Sequence, residues 1–317
     1  MVNNIAATGK RVRLAKRSPL VRRLIDSRYL LLLLFPCLLY YALLRYVPMW
    51  GVLITFQNFQ AFKGFFESPW VWFQNYAAAL GSRDFMSLLS NTFLLGAMSF
   101  VFQFPVPILF ALILNEVRAA RFKKFVQTVS YMPFFISTVV VVGIINMVLN
   151  PRNGVINNII AWMGMEKVNF LVQAGSFRWV YILSGIWQNT GFGAIIYLAA
   201  LSGVDPQLYE AAIIDGANKR HQILHITIPS IAPVIITMML LNTGSLVDVG
   251  FEKVYLMQNP AVQFSTDVFA TYVYRQGIQG GNMSYGATFD VLNSVINLLF
   301  ICVSNGLARR YSETSLW

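Results

Sequence analysis

Residues 85–115 read FMSLLSNTFLLGAMSFVFQFPVPILFALILN, with no charged side chain from one end to the other. A helix needs about 20 mostly apolar residues to cross a bilayer, so this stretch points to an integral membrane fold. Five further runs agree. Tyr29–Leu44 is short for a span, but Arg45 can extend it by carrying its charge to the interface on a long apolar stem. Phe125–Pro151, Trp179–Val204 and Ile226–Val247 are uncharged throughout, and Gln276–Ala308 is interrupted only by Asp290. The expected fold class is all-α and integral to the membrane, with six transmembrane helices joined by short interfacial helices.

Composition supports this reading. The 317 residues are 56% hydrophobic and only 12% charged, against about 25% charged in an ordinary soluble domain. The net charge of +11 is first a topology signal rather than a nucleic-acid footprint. With the N-terminus placed inside, sixteen of the 24 Lys and Arg lie on segments 1–28, 116–124, 205–225 and 309–310, and eight lie on the opposite segments. This two-to-one bias predicts N-in and C-in. The expected organisation is a basic cytoplasmic segment 1–28, a transmembrane domain 29–311 and a cytoplasmic tail 312–317. The leader also suits anionic lipid, although a tail serving only as topology signal reads equally well. A signal peptide is disfavoured, because Pro48, Met49 and Trp50 stand where a small-residue cleavage site would be. Cys37 and Cys302 have no metal or disulfide spacing.

The outer loops are aromatic. Between Trp50 and Tyr76 lie Phe56, Phe59, Phe62, Phe65, Phe66, Trp70, Trp72 and Phe73. Such rings suit a belt at the membrane interface, and they also suit stacking on sugars. Short helices are expected at Val155–Met163 and Thr266–Gly277.

The inside loop 202–225 carries the strongest local pattern. Asp205 is a good N-cap and Pro206 a good first helical residue. Leu208, Ala211 and Ala212, with Ile214 alongside, give a small apolar face, and Gly216 can stop the helix or permit close backbone approach. A short surface helix hung between two spans can seat in a partner's groove, or it can simply lie on the bilayer. The order Glu210-Ala211-Ala212, three residues, Gly216, nine residues, Ile226, one residue, Ile228-Pro229 resembles the EAA loop of ABC importer permeases, with Ile228 where that family has Leu. Shorter segments, among them Ser68-Pro-Trp, Ile186-Trp-Gln-Asn-Thr-Gly, Leu198-Ala-Ala-Leu and Thr271-Tyr-Val-Tyr-Arg, resemble the polysaccharide/oligosaccharide branch, relatives of the maltose-transporter membrane subunits.

The resemblance implies a multi-pass subunit of a bacterial cytoplasmic (inner) membrane. It would pair with a second permease subunit, as a heterodimer, over two cytoplasmic ATPase subunits that bind ATP and Mg. An extracytoplasmic solute-binding protein would deliver a glycan. Glu210, Ala211, Ala212, Asp215 and Gly216 would then contact or shape the ATPase interface and couple nucleotide closure to alternating access. No G-x-x-x-x-G-K-[ST] pattern occurs in the chain, so the phosphate-binding site is expected on another polypeptide. The chain itself is expected to be no enzyme and to hold no cofactor.

Polar groups inside a membrane usually face a cavity or a helix interface. The candidates are Asn91, Gln103, Asn146, Gln188, Asn189, Asn242, Asp290, Asn293 and Asn297. For a substrate path, Gln188, Asn189, Asn242, Asp290 and Asn293 can exchange hydrogen bonds with glycan hydroxyls, and Trp187 and Tyr197 can stack on sugar rings. The same amides can equally tie helices together. His221 and His225, four residues apart, lack a third ligand and are no metal site on this reading. Gly191-Phe-Gly193 suggests close helix packing. Two other function classes stay open: a stand-alone secondary transporter or channel, which would need ion-coupling groups or inverted repeats, and a membrane enzyme acting on lipid-linked sugar.

Overall fold

The computed structural model describes residues 27–243, 246–247 and 249–311. The basic segment before residue 27 and the tail 312–317 lie outside the described residues. The chain divides into two compact units, Met1–Leu53 and Ile54–Trp317. The first holds helix α1 (Arg28–Tyr41), which continues through a π-helical turn, Ala42–Tyr46. Pro48 follows this turn; it lacks the N–H that would bond the carbonyl of Leu44, and the ladder loosens there. The whole apolar helical run is Arg28–Phe56, 29 residues, longer than the uncharged run that announces it.

The second unit contains α2 (Gln74–Leu80), α3 (Arg83–Gln103), α4 (Pro105–Glu116), α5 (Ala120–Tyr131), α6 (Thr138–Val148), α7 (Val155–Trp162), α8 (Ala174–Ser202), α9 (Pro206–Ile214), α10 (Ile228–Thr243), α11 (Phe251–Met257), α12 (Phe269–Val273) and α13 (Met283–Tyr311). Among the described residues the isolated antiparallel bridge Gln57–Trp70 is the sole β pairing. Among the described residues four helical runs are long and apolar enough to cross a membrane, Arg28–Phe56, Arg83–Glu116, Lys219–Thr243 and Met283–Gly306, or five if the bent pair Ala120–Phe135 and Thr138–Val148 counts as one span.

Two uncharged runs depart from simple spans. Phe125–Pro151 is not one straight helix: Ala120–Phe135 and Thr138–Val148 meet at 100°. Pro133 and the N-cap Ser137, whose hydroxyl accepts from Val140 N at 3.5 Å, restart the chain in a new direction. Helix α8 has 29 residues, about 44 Å at 1.5 Å per residue. It is not among the strongly apolar helices, because Ser184, Gln188, Asn189 and Thr190 interrupt it. The helix expected at Thr266–Gly277 is also divided. Residues Gln263–Thr266 form one turn, Asp267 and Val268 are extended, and α12 runs into a π-helical segment, Tyr274–Gln279. Asp267 closes that break by pairing with Arg275 and accepting from Thr271 Oγ1 at 2.6 Å.

Small residues share the interior of this unit with large ones, and many large apolar side chains face outward. Along α3 and α4 the small or polar Thr92, Gly96 and Ala111 are buried, whereas Val101, Leu109 and Ile113 are exposed. Lipid tails are as apolar as leucine, so association draws on close van der Waals fit, in which small and large side chains both take part. At Gly191 in α8, a Cβ would overlap the carbonyl of Ser130. The absence of a side chain there lets α5 lie against α8, and neighbouring Phe192 stacks on Phe134 at 3.9 Å. Three apolar clusters hold the helices. One joins α3, α6, α8 and α11 around Phe177; one joins α2, α3, α12 and α13 around Phe289; one joins α4, α8 and α10 around Tyr197 and Ile231.

The aromatic loop is built rather than loose. Asn75 Nδ2 donates to the carbonyls of Thr55 and Gln57 at 2.8 and 2.9 Å, and Phe59 N donates to Ser284 Oγ at 2.9 Å. Phe65, Trp70 and Trp72 form a chain of ring contacts, with Trp72 held at φ 54°.

Candidate functional site

Helix α9 is capped at both ends by its own sequence. Asp205 accepts from Gln207 N at 2.9 Å, and Pro206 fills the first helical position, where a missing N–H costs nothing. At the other end Gly216 has φ +77°. Gly216 N donates to Ile213 O at 3.1 Å and Ala217 N to Ala212 O at 2.8 Å, the two bonds of a Schellman motif. Nothing lies within 4 Å of a Cβ built at Gly216, so the glycine serves the left-handed turn and not a close approach.

The helix is tied to the following span. Tyr209 Oη and Thr227 Oγ1 lie 3.0 Å apart, and Gln222 Nε2 donates to Ala217 O at 3.0 Å. Lys219 pairs with Glu116 at 3.2 Å, linking the loop to the end of α4. Between loop and α10 the chain makes a π-helical segment, Ile223–Thr227. Pro229 removes the N–H that would bond His225 O, which accounts for the widened turn. His221 and His225 stack at 4.0 Å between ring centroids, and His225 Nδ1 lies 3.1 Å from His221 O. Glu210, Ala211, Asp215 and Gly216 are exposed and Ala212 is half-buried. Leu208 and Ile213 are exposed, and Ile214 is 86% exposed. Beside them Ala212, Asp215, Gly216, His221 and His225 line a recess of 440 Å³. A capped, tethered helix that presents apolar side chains to the outside is suited to being gripped.

A second feature is a cavity of 340 Å³ between α3, α4, α8, α10 and the segment before α11. Its polar lining is Ser99, Gln103, Tyr181, Asn189, Tyr197 and Asn242. The amide groups of Asn189 and Asn242 donate one turn back, to Gly185 O at 3.0 Å and Met238 O at 2.8 Å. Phe100 and Phe104 add a stacked aromatic wall at 5.4 Å. Amides, hydroxyls and flat apolar rings are the groups that bind polyhydroxylated rings.

The structure brings Asn189, Tyr197 and Asn242 together at this cavity and places the other path candidates elsewhere. Trp187 is half exposed on α8. Gln188 Nε2 donates to Ile136 O at 3.1 Å, satisfying a carbonyl freed by the bend between α5 and α6. Asp290 is exposed on α13 and engaged with a partner. Asn293 and Asn297, one turn apart on α13, have buried Oδ1 atoms without a hydrogen-bond partner. Asn91 receives Arg178 at 3.4 Å and donates to Phe264 O at 3.0 Å, while Asn146 lines a separate recess with Asn150, Asn169 and Asn259. Gln103 and Tyr181 complete the cavity. Gln103 is legible as an intramembrane amide; Tyr181 is not marked by any local pattern.

Residues 108–313 match the family model described as binding-protein-dependent transport system inner membrane component. The polygalacturonan/rhamnogalacturonan transport system permease protein YteP of Bacillus subtilis is 43% identical, over 95% of this chain and 94% of its own. Protein LplB of the same organism is 41% identical over 92% of each chain. Among solved structures, a chain of a bacterial alginate ABC transporter, in complex with an alginate pentasaccharide-bound periplasmic protein, superposes with TM-score 0.87 and 35% identity. That match covers 94% of this chain and 99% of the other. The helical architecture, the capped loop helix and these matches together place the protein in the family of binding-protein-dependent transport system inner membrane components, the membrane permease subunits of ABC importers.

Proposed function

We propose that this permease forms half of the translocation pathway of an ATP-driven importer for oligosaccharides or polysaccharide fragments. The observation that carries the coupling role is α9: a helix capped at both ends, tied through Tyr209 and Thr227 to the next span, with Leu208, Ile213 and Ile214 unsheathed. In this reading α9 seats in a cytoplasmic ATPase, with Glu210, Ala211, Ala212, Asp215 and Gly216 at or shaping the contact. Two ATPase subunits bind ATP and Mg, and their closure swings α9 and, through the π-helical hinge, α10. The cavity beside α10 then opens outward to a solute-binding protein.

The remaining architecture belongs to the same proposal. Six spans, N-in and C-in, lie in a bacterial cytoplasmic membrane and pair with a different permease subunit. Segment 1–28 lies in the cytoplasm, 29–311 forms the permease domain with its coupling loop at 202–225, and 312–317 is the tail. Asn189, Tyr197 and Asn242 hold sugar in the cavity. The glycan class is supported by the relatives, whose names refer to polygalacturonan, rhamnogalacturonan and alginate, and by the amide and aromatic lining.

The test is ATP-dependent uptake of glycan into vesicles holding both permeases, the ATPases and the binding protein. Glu210→Lys with Gly216→Pro should abolish uptake while leaving assembly of the permease pair intact. Unchanged uptake contradicts the coupling role. Uptake by the single chain under an ion gradient, without ATPase, would favour the secondary-transporter reading.

A further inference from the structure

Lys253 on α11 is a half-buried lysine on the segment between the last two spans. The opposite side of this short helix is fixed by aromatic packing, with Tyr274 lying 5.0 Å from Phe251 and 5.1 Å from Tyr255. Val254 and Met257 are buried in the cluster around Phe177. This packing leaves Lys253 Nζ 5.2 Å above the ring of Tyr181. Tyr181 lines the cavity, as does Val249, one turn before Lys253. Loss of water lowers the Lys253 ammonium to about 8. Among the described residues no carboxylate oxygen lies within ion-pair distance of it; the pairs present are Lys219–Glu116 and Arg275–Asp267. A tyrosine face is modest compensation for a desolvated cation.

Position adds direction. The cavity follows α8 from Tyr181 past Asn189 to Tyr197, sixteen residues or about 24 Å. Helix α8 then runs into the loop that carries α9. Lys253, over the ring of Tyr181, therefore stands beside the end of the cavity remote from α9, which is the outward end in the proposed topology.

We propose that Lys253 reads a carboxylate on the cargo, so that the preferred substrate is a glycan bearing uronate groups. Tyr181 packs beneath the same sugar unit, and the amides of Asn189 and Asn242 take hydroxyls farther in. This deepens the glycan-importer reading and rests on it. A uronate would bring a carboxylate to an ammonium that, among the described residues, faces a tyrosine ring and no carboxylate oxygen within ion-pair distance, whereas a neutral sugar offers no such charge. Losing a charge-assisted hydrogen bond weakens binding on the order of 10- to 100-fold.

The experiment measures equilibrium binding of an oligogalacturonate and of its methyl ester to the detergent-solubilised complete transporter, without the binding protein, for wild type, Lys253→Gln and Lys253→Arg. The expected result is a 10- to 100-fold loss of oligogalacturonate binding in K253Q, little change for the ester, and retention in K253R. Equal wild-type affinity for acid and ester overturns this inference and leaves the glycan reading standing. Equal loss of both sugars in K253Q also overturns it, since Lys253 then serves the protein and not a cargo carboxylate. Wild type that binds neither sugar overturns the glycan reading together with this one.

Discussion

Gly216→Ala is the sharpest perturbation of the loop helix, because the structure isolates a single physical term. The backbone there sits at φ +77° and no atom lies within 4 Å of an added Cβ. Within this chain there is no clash to relieve and no contact to lose. What remains is the cost of placing an L-residue in the left-handed region, about 1–2 kcal/mol. That cost falls on the turn closed by Gly216 N to Ile213 O and Ala217 N to Ala212 O. At 1.4 kcal/mol per tenfold, the equilibrium between formed and frayed turn shifts about 5- to 30-fold toward fraying. Amide hydrogen exchange at residues 216 and 217, measured in the complete transporter, should quicken by that factor, and glycan-stimulated ATP turnover should fall with it. Gly216→Asn should show a smaller effect, since Asn tolerates this conformation. Unchanged exchange in G216A, or equal effects of Ala and Asn, would refute the reasoning.

Three further outcomes are expected. Tyr209→Phe removes the hydroxyl facing Thr227 and should loosen α9 from α10 by about 0.5–1.5 kcal/mol, read as faster exchange in α9 and weaker coupling of ATP hydrolysis to uptake. Gln188→Leu leaves the Ile136 carbonyl without its donor at the bend and should lower thermal stability by about 1–3 kcal/mol without changing the preference between acidic and esterified sugar; a changed preference would place Gln188 in the path. Burial lowers Lys253 to about 8, so its charge is present below that pH and lost above it. Affinity for oligogalacturonate should hold below pH 8 and decline as the pH rises through it, whereas K253R should stay flat across the window.

Much of this molecule is written locally. Uncharged runs announce membrane helices because hydrocarbon has no partner for a charge, and the caps of α9 are spelled out by Asp205, Pro206 and Gly216 acting on their immediate neighbours. What local reading misses depends on contacts between distant segments. The bend at residues 136–137 begins with Pro133 and the cap of Ser137, but the Ile136 carbonyl it frees is satisfied by Gln188 reaching across from α8, a contact that an uncharged run does not announce. The break at Asp267 depends on Arg275 eight residues away and on Thr92 in α3, whose Oγ1 accepts from Phe269 N at 3.2 Å. Intramembrane amides are easy to find, but their use is decided by rotation about the helix axis. Asn189 and Gln188 are adjacent, and one lines the cavity while the other mends a bend. Lys253 reads as a plain loop charge until α11 folds back over Tyr181.

The claim on which the account stands is that α9 is gripped by the ATPase. Cys37 and Cys302 are both exposed, so the measurement starts from a Cys37→Ser, Cys302→Ser background and adds a single cysteine at Ile214, 86% exposed on α9, or at Ile113, 68% exposed on α4. In the complete transporter a short bifunctional reagent should join Ile214→Cys to the ATPase subunit and leave Ile113→Cys unjoined. An Ile214→Cys transporter that hydrolyses ATP in step with glycan uptake yet gives no cross-link would contradict the account.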